Sequence, residues 1–312
     1  MPDLMEFIRI DLPALTAGIL ATLTCGLIGT FLVLRKQSLL GDALSHSVLP
    51  GIVIGFLLTG LKSIIVIFLG ALISALFAGI MIELIHQMGR IERGAAMGVV
   101  FTSLFALGVL LLEQSSARSA DLDPDCVLYG QLEQIMWLAP KEIGDLLKWQ
   151  IWFTLPRQIY MLFTVFFVVT ICVGVFFKEL KLIAFDPDYA KVVGFKYYIY
   201  NYGLMFLTSI AIVASFETVG SILVIALLIC PAAIMRLLTS SYLLQFWGTL
   251  GMCLLISILG YSGAVFFPLS IDASDTINVA GAMSVVCGLL MFFAFLYYNY
   301  SNRHRGSVEN KL

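Results

Sequence analysis

The sequence predicts an all-α, polytopic integral membrane protein of about eight to nine transmembrane helices with a short cytoplasmic helix between two of them. Three observations carry that prediction. The 312 residues are 60% hydrophobic and only 12% charged, at a mean hydropathy of +0.99, whereas soluble domains carry about 25% charged residues. The apolar residues come in runs near the ~20 that a bilayer-crossing helix needs. Strand-length alternation is absent, which excludes a membrane barrel.

The runs fall at 13–34, 40–60, 63–86, 95–113, 159–178, 199–217, 219–238, 243–267 and 277–298. The first carries the weakest signal, and the pair between 199 and 238 leaves room only for a very tight turn. The count is therefore nine, or eight. Pro and Gly are dispersed rather than gathered in a linker, so residues 1–312 read as one domain. Orientation follows from Lys and Arg, which favour cytoplasmic loops. Placing residues 35–39 inside puts twelve of the 18 basic residues on that side and six on the other. The N-terminus is then external, and the tail at 299–312 is cytoplasmic. "MPDLMEFIRIDLPAL" has neither a basic n-region nor a small-residue cleavage site, so no removable signal peptide is expected.

Two connecting stretches stand out. The outer one, 114–158, opens with the acidic "SADLDPDC" and then carries Tyr129, Trp137, Trp149 and Trp152, which predicts an interfacial helix within 127–152. The inner one contains "FDPDYAKVVGF", residues 185–195. Asp186 suits an N-cap, Pro187 the first helical position and Gly194 the end. Tyr189, Val192 and Val193 recur at helical spacing. Such a helix is either a turn element or a docking helix for a cytoplasmic partner.

Several functions are excluded at this level. A net charge of −2 without a long basic run argues against nucleic acid. There is no GxxxxGK[ST] phosphate loop, and His46, His86 and His304 form no HExxH, so neither ATP hydrolysis nor membrane metalloprotease chemistry is expected of this chain. The six cysteines form no CxxC pair; all but Cys126 lie in apolar runs, where cysteine acts as a small buried hydrophobe.

The polar residues inside the spans carry the chemistry. In "SLLGDALSHSVLPGI", residues 38–52, Asp42 and His46 stand i and i+4, one above the other on one helix face. A carboxylate and an imidazole presented together can bind one divalent first-row transition ion; a structural Asp–His hydrogen bond between helices is the alternative. Ser45 points to a neighbouring part of the surface. Pro50 breaks a backbone hydrogen bond one turn on and frees a carbonyl, while Gly41 and Gly51 permit close helix approach. Glu83, near His86, Arg90 and Arg93, reads as an ion-paired interfacial residue. Glu217, in "SFETVGSIL", is either a cap for the following helix or a gating or ligand group. Cys230, next to the helix-opening Pro231, is either a soft metal ligand or an inert buried thiol.

These stretches resemble a known family. "GLIGTFLVLRKQSLLGDALSHSVLPGI" (26–52), "FDPDYAKVVGF" (185–195) and "VGSILVIALLICPAAIMRLLT" (219–239) are similar to the permease subunits of bacterial manganese, zinc and iron ABC importers of the ABC-3 type. The resemblance runs from about residue 12 to 298, and "DPDCVLYGQL" adds to it. It implies a permease of the bacterial cytoplasmic membrane, working beside a second permease chain, identical or paralogous. A cytoplasmic ATPase pair would drive transport, and an external binding protein would deliver Mn2+, Zn2+ or Fe2+. The ion is cargo, and no permanently bound cofactor is implied. Asp42 and His46 become the intramembrane metal site. Residues 185–196, with Phe185, Asp186, Pro187, Tyr189, Ala190, Val193 and Gly194, become the helix that couples to the ATPase. Glu217 departs from the family pattern, which carries an uncharged polar or small residue there, and adds an anionic group near the outer mouth. The rival reading is a gradient-driven secondary cation transporter with no ATPase, which would call for a series of intramembrane acids or inverted repeats; neither is evident.

Overall fold

The computed structural model describes residues 4–60, 64–114, 130, 132–140, 142, 144–145, 148–270 and 278–309. Among them the protein is all helical: a polytopic α-helical membrane protein with eight helices long and apolar enough to cross a bilayer. A π-helical turn at Phe7–Asp11 leads into α1 (Leu12–Leu34). Then come α2 (Leu39–His46), α3 (Val48–Thr59), α4 (Ile64–Gly89) and α5 (Arg93–Gln114). After the loop follow α6 (Arg157–Val175), the short α7 (Phe177–Phe185) and α8 (Pro187–Val192), then α9 (Tyr197–Leu238), α10 (Tyr242–Ser270) and α11 (Val279–Glu309).

The 42-residue α9 is not one rod. Gly220 has φ 74° and ψ 167°, outside the helical region, a conformation open to glycine but not to residues with a Cβ. Both ends of α9 lie at the same end of α1: Arg35 Nη2 donates to the Tyr197 hydroxyl at 3.4 Å, and the Phe31 ring stands 6.4 Å from that of Tyr242, just beyond α9. Segments 197–219 and 221–238 therefore double back at Gly220, whose backbone packs against Gly130. Counting 197–219 and 221–238 separately, the described residues hold nine apolar helical segments where the long-helix count is eight.

α1 is the hub. In its most apolar window 72% of the residues are buried inside the protein. Lipid tails are as apolar as leucine, so helices associate here through close packing and hydrogen bonds rather than through the hydrophobic effect. α1 accordingly presents small residues: a Cβ on Gly26 would strike the Cys253 thiol of α10, and one on Gly29 would strike the Leu228 carbonyl of α9. Its hydroxyls are answered within the helix. Thr24 donates to the Leu20 carbonyl at 2.6 Å and Thr30 to that of Gly26 at 3.0 Å, while Thr22 also meets Ser257 of α10 at 2.5 Å. α3 and α4 cross just as closely where Gly51 faces Gly70.

The loop after α5 differs from expectation. Among its described residues there is a 3-10 turn at Leu132–Gln134 and a single α turn at Trp149–Trp152, not a long interfacial helix; Tyr129 and Cys126 lie outside the described residues. Trp149 is 76% exposed, but Trp137 is only 2% exposed, because its indole N–H donates to Thr154 Oγ1 at 3.1 Å and its backbone N–H to the Arg9 carbonyl at 2.7 Å. That aromatic residue fastens the loop onto the N-terminal turn instead of lying in the interface.

Candidate functional site

Asp42 and His46 share the short helix α2, as their spacing predicted. The break after it falls at Ser47, in the turn preceding Pro50, which has no N–H to give to the His46 carbonyl. The Ser47 amide and hydroxyl both bond the Ala43 carbonyl, at 3.2 and 2.6 Å. Ser74 of α4 donates to the Ser47 carbonyl at 2.6 Å, so the backbone group at the break stays satisfied. Pro50 is buried one turn on, against Gly108 of α5.

The buried face of α2 holds Leu40, Gly41, Ala43, Leu44 and Ser45. Gly41 seats against the Leu228 side chain, near the midpoint of segment 221–238. Packing of that face turns the opposite one outward. There His46 Nε2 lies 3.2 Å from Asp42 Oδ1, and the two side chains keep 28% and 32% of their surface exposed. The imidazole is held between two rings of α5, Phe101 at 5.9 Å and Phe105 at 5.5 Å between centroids, the latter edge-on.

Magnitudes decide what this pair is for. An i,i+4 pair on an exposed helix face contributes about 0.3–0.5 kcal/mol, while an acidic side chain at the centre of a membrane helix costs about 2.5–3.5 kcal/mol, and Asp42, the fourth residue of the span Leu39–Thr59, bears part of that cost. The pair does not repay its own placement through folding. Among the described residues no group of three or more His, Cys, Asp or Glu side chains is close enough to hold a metal; Asp42 and His46 present one oxygen and one nitrogen donor group on a partly exposed face.

The other singled-out residues lie elsewhere. Glu217 is exposed, just before the Gly220 turn midway along α9, within electrostatic reach of Arg157. Cys230 is two residues past Leu228, roughly 200° around the helix, and so faces away from α2. Its neighbour is Cys287 of α11, whose Sγ lies 3.8 Å from the Ala226 carbonyl. Pro231 is buried beside it. Glu83 is 4% exposed and accepts from Gln87 at 2.7 Å and Arg93 at 3.5 Å, the ion-paired role the sequence suggested. Burial in turn holds the Arg35 guanidinium below its ordinary pKa, against the opposing influence of Tyr197.

The capped helix of the inner loop forms as read, one turn shorter. Phe185 ends α7 rather than opening α8. Asp186 caps α8, its carboxylate accepting from the Tyr189 amide at 2.9 Å, with Pro187 in the first turn. Gly194 closes the loop at φ 90°. Only Ala190 of α8 is buried; Tyr189, Val192 and Val193 are 56%, 85% and 51% exposed, an apolar face left open among the described residues.

Likenesses to one known family and to three known proteins bear on this arrangement. The sequence pattern of the ABC 3 transport family matches residues 7–299. The chain is 37% identical over 285 residues to the manganese transport system membrane protein MntD of Bacillus subtilis, covering 91% of this chain and 90% of that one. To the zinc transport system membrane protein TroD of Treponema pallidum it is 39% identical over 280 residues, 90% of this chain and 72% of that one. Among solved structures, PsaBC from Streptococcus pneumoniae in complex with Fab superposes with a TM-score of 0.69 at 27% identity, over 90% of this chain and 89% of that one.

Proposed function

The chain belongs to the ABC 3 transport family, and on that premise we propose that it is the permease subunit of an ATP-driven importer of a divalent transition-metal ion across the bacterial cytoplasmic membrane. Mn2+ and Zn2+ are the first candidates, since similar proteins are named for manganese and for zinc; Fe2+ fits the same donor set. The observation that carries the reading is the Asp42–His46 pair, which lies within a membrane span and keeps its nitrogen and oxygen donors on a partly exposed face.

In this reading the Arg35 end of the bundle is cytoplasmic. The ion sheds part of its water shell and pauses between Asp42 and His46. Two donors compensate for only part of the lost hydration, so binding is strong enough to select and weak enough to release. A second permease chain facing α2 and α5 would bring a second pair around the same ion. The exposed apolar face of α8 is the docking element for the cytoplasmic ATPase, which supplies the hydrolysis this chain lacks, and an external binding protein delivers the ion. Glu217 would add a negative charge near the outer mouth that favours cation entry.

The test is uptake measured ion by ion in cells lacking the chain. Wild type is expected to restore accumulation of one transition metal in an ATP-dependent manner, and Asp42→Ala is expected not to restore it while assembling normally. Full uptake by Asp42→Ala would remove the site; uptake that persists without ATP would remove the importer.

A further inference from the structure

Just upstream of α2 the chain builds a second polar site. The Gln37 amide donates to the Leu32 carbonyl at 2.9 Å and the Lys36 amide to the Val33 carbonyl at 3.1 Å, the paired bonds of a helix ending whose left-handed position usually holds glycine. Here that position is Lys36, at φ 55°. Beside the turn lies a cavity of about 290 Å3, lined by Arg35, Lys36, Gln37, Arg93, Pro187 and Tyr197 among others.

Tyr197 is 8% exposed, and its oxygen accepts from Arg35 at 3.4 Å and from Arg93 at 3.3 Å. A guanidinium cannot accept in return, so the Tyr197 hydroxyl hydrogen has no acceptor among the described residues. The second partner of Arg35 is the neutral Asn201 Oδ1. The carboxylate touching the group is Glu83, shared between Arg93 and Gln87. Lys191 stands 5.1 Å over the Tyr197 ring, but its charge is answered by Asp188 at 2.9 Å. Arg35, Lys36 and Arg93 thus line one cavity, and the carboxylate paired with the group is Glu83, shared with Gln87. The C-terminal dipole of α1, about half an elementary charge, answers only part of the excess.

We propose that this cavity binds a phosphate group. Several oxygens on one tetrahedral anion can accept the Tyr197 hydroxyl and the guanidinium N–H groups together and neutralise the surplus charge. The cavity begins at Leu34, where the apolar run of α1 stops, which is headgroup depth. An anionic phospholipid and a soluble phosphate ester present the same oxygens there.

The test uses the full chain purified into lipid nanodiscs, with thermal unfolding as readout. One arm compares inorganic phosphate with chloride at equal ionic strength in phosphatidylcholine discs. The other compares phosphatidylglycerol with phosphatidylcholine discs in chloride alone. A ligand of the folded state raises the midpoint, and wild type is expected to gain several degrees in one arm, which identifies the source. Lys36→Gly removes the ammonium at a backbone position that glycine suits better, so this variant folds at least as well as wild type. Tyr197→Phe removes only the hydroxyl. Both are expected to lose most of the gain. No gain in either arm, or a gain undiminished in both variants, overturns the proposal.

Discussion

Replacing His46 by phenylalanine separates what the imidazole does for folding from what its nitrogens do. The His46 ring stands 5.9 Å from Phe101 and 5.5 Å from Phe105 between centroids, and such contacts contribute about 0.5–1.5 kcal/mol each. Its link to Asp42, 3.2 Å long on a partly exposed face, adds about 0.3–0.5 kcal/mol. His46→Ala loses all of these, about 1.3–3.5 kcal/mol, and confounds folding with function. His46→Phe keeps both ring contacts and forfeits only the pair, so its stability is expected within about 1 kcal/mol of wild type. Uptake should nonetheless collapse. Losing even an outer-sphere partner of a metal ligand costs about 10–100-fold in affinity or activity, and losing a ligand costs at least the upper figure. The assay pairs thermal unfolding of the purified complex with initial rates of radiolabelled manganese and zinc uptake into proteoliposomes. A His46→Phe protein that folds normally and transports within about twofold of wild type would refute the reasoning, because no role would then remain for the nitrogen.

Two glycines of the hub should respond very differently to one added methyl. Gly29→Ala drives a Cβ into the Leu228 backbone carbonyl and Gly41→Ala only into the Leu228 side chain, so unfolding measurements should show about 3 kcal/mol lost in the first and about 1 kcal/mol or less in the second. Asp186→Ala removes the side-chain cap that accepts from the Tyr189 amide; α8 should weaken by about 1 kcal/mol, visible as lower metal-stimulated ATP hydrolysis by the assembled transporter with the bundle's melting unchanged. A double-mutant cycle of Thr22→Val and Ser257→Ala, whose hydroxyls meet at 2.5 Å, should give a coupling of only about 0.6 kcal/mol, the size usual between membrane helices.

What could be read from the sequence follows the physics of lipid. Span existence was legible because each span must reach about 20 apolar residues, and the turn within 199–238 because its interval is too short for a loop; the structure puts it at Gly220. The Asp42–His46 pairing was legible because i,i+4 geometry is local. Helix facing was not. A helix apolar all round carries no stripe to read, so nothing in α5 announced that Phe101 and Phe105 would hold the imidazole. Pro50 drew attention as the breaker, and the break does fall in the turn before it; that Ser74, a residue on another helix, would satisfy the Ser47 carbonyl there was not legible. The Arg35–Tyr197 bond spans 162 positions, and only the assembled bundle brings its ends together. Trp137 suggested an interfacial residue by type; its burial depends on Thr154 and Arg9, which composition cannot foretell.

The burial of α1 bears on how the protein is made. Its principal neighbours, α9 and α10, are translated long after it, so for much of synthesis the helix waits in the bilayer without them. It is equipped to wait: a mean hydropathy of 2.1 in its span suffices for insertion alone, and Thr24 and Thr30 already bond carbonyls of their own helix. The glycine surfaces meant for Leu228 and Cys253 stay vacant in the meantime, open to any passing helix. Truncation before α9 should therefore leave an inserted but promiscuous segment, which a quality-control protease would see as an orphan.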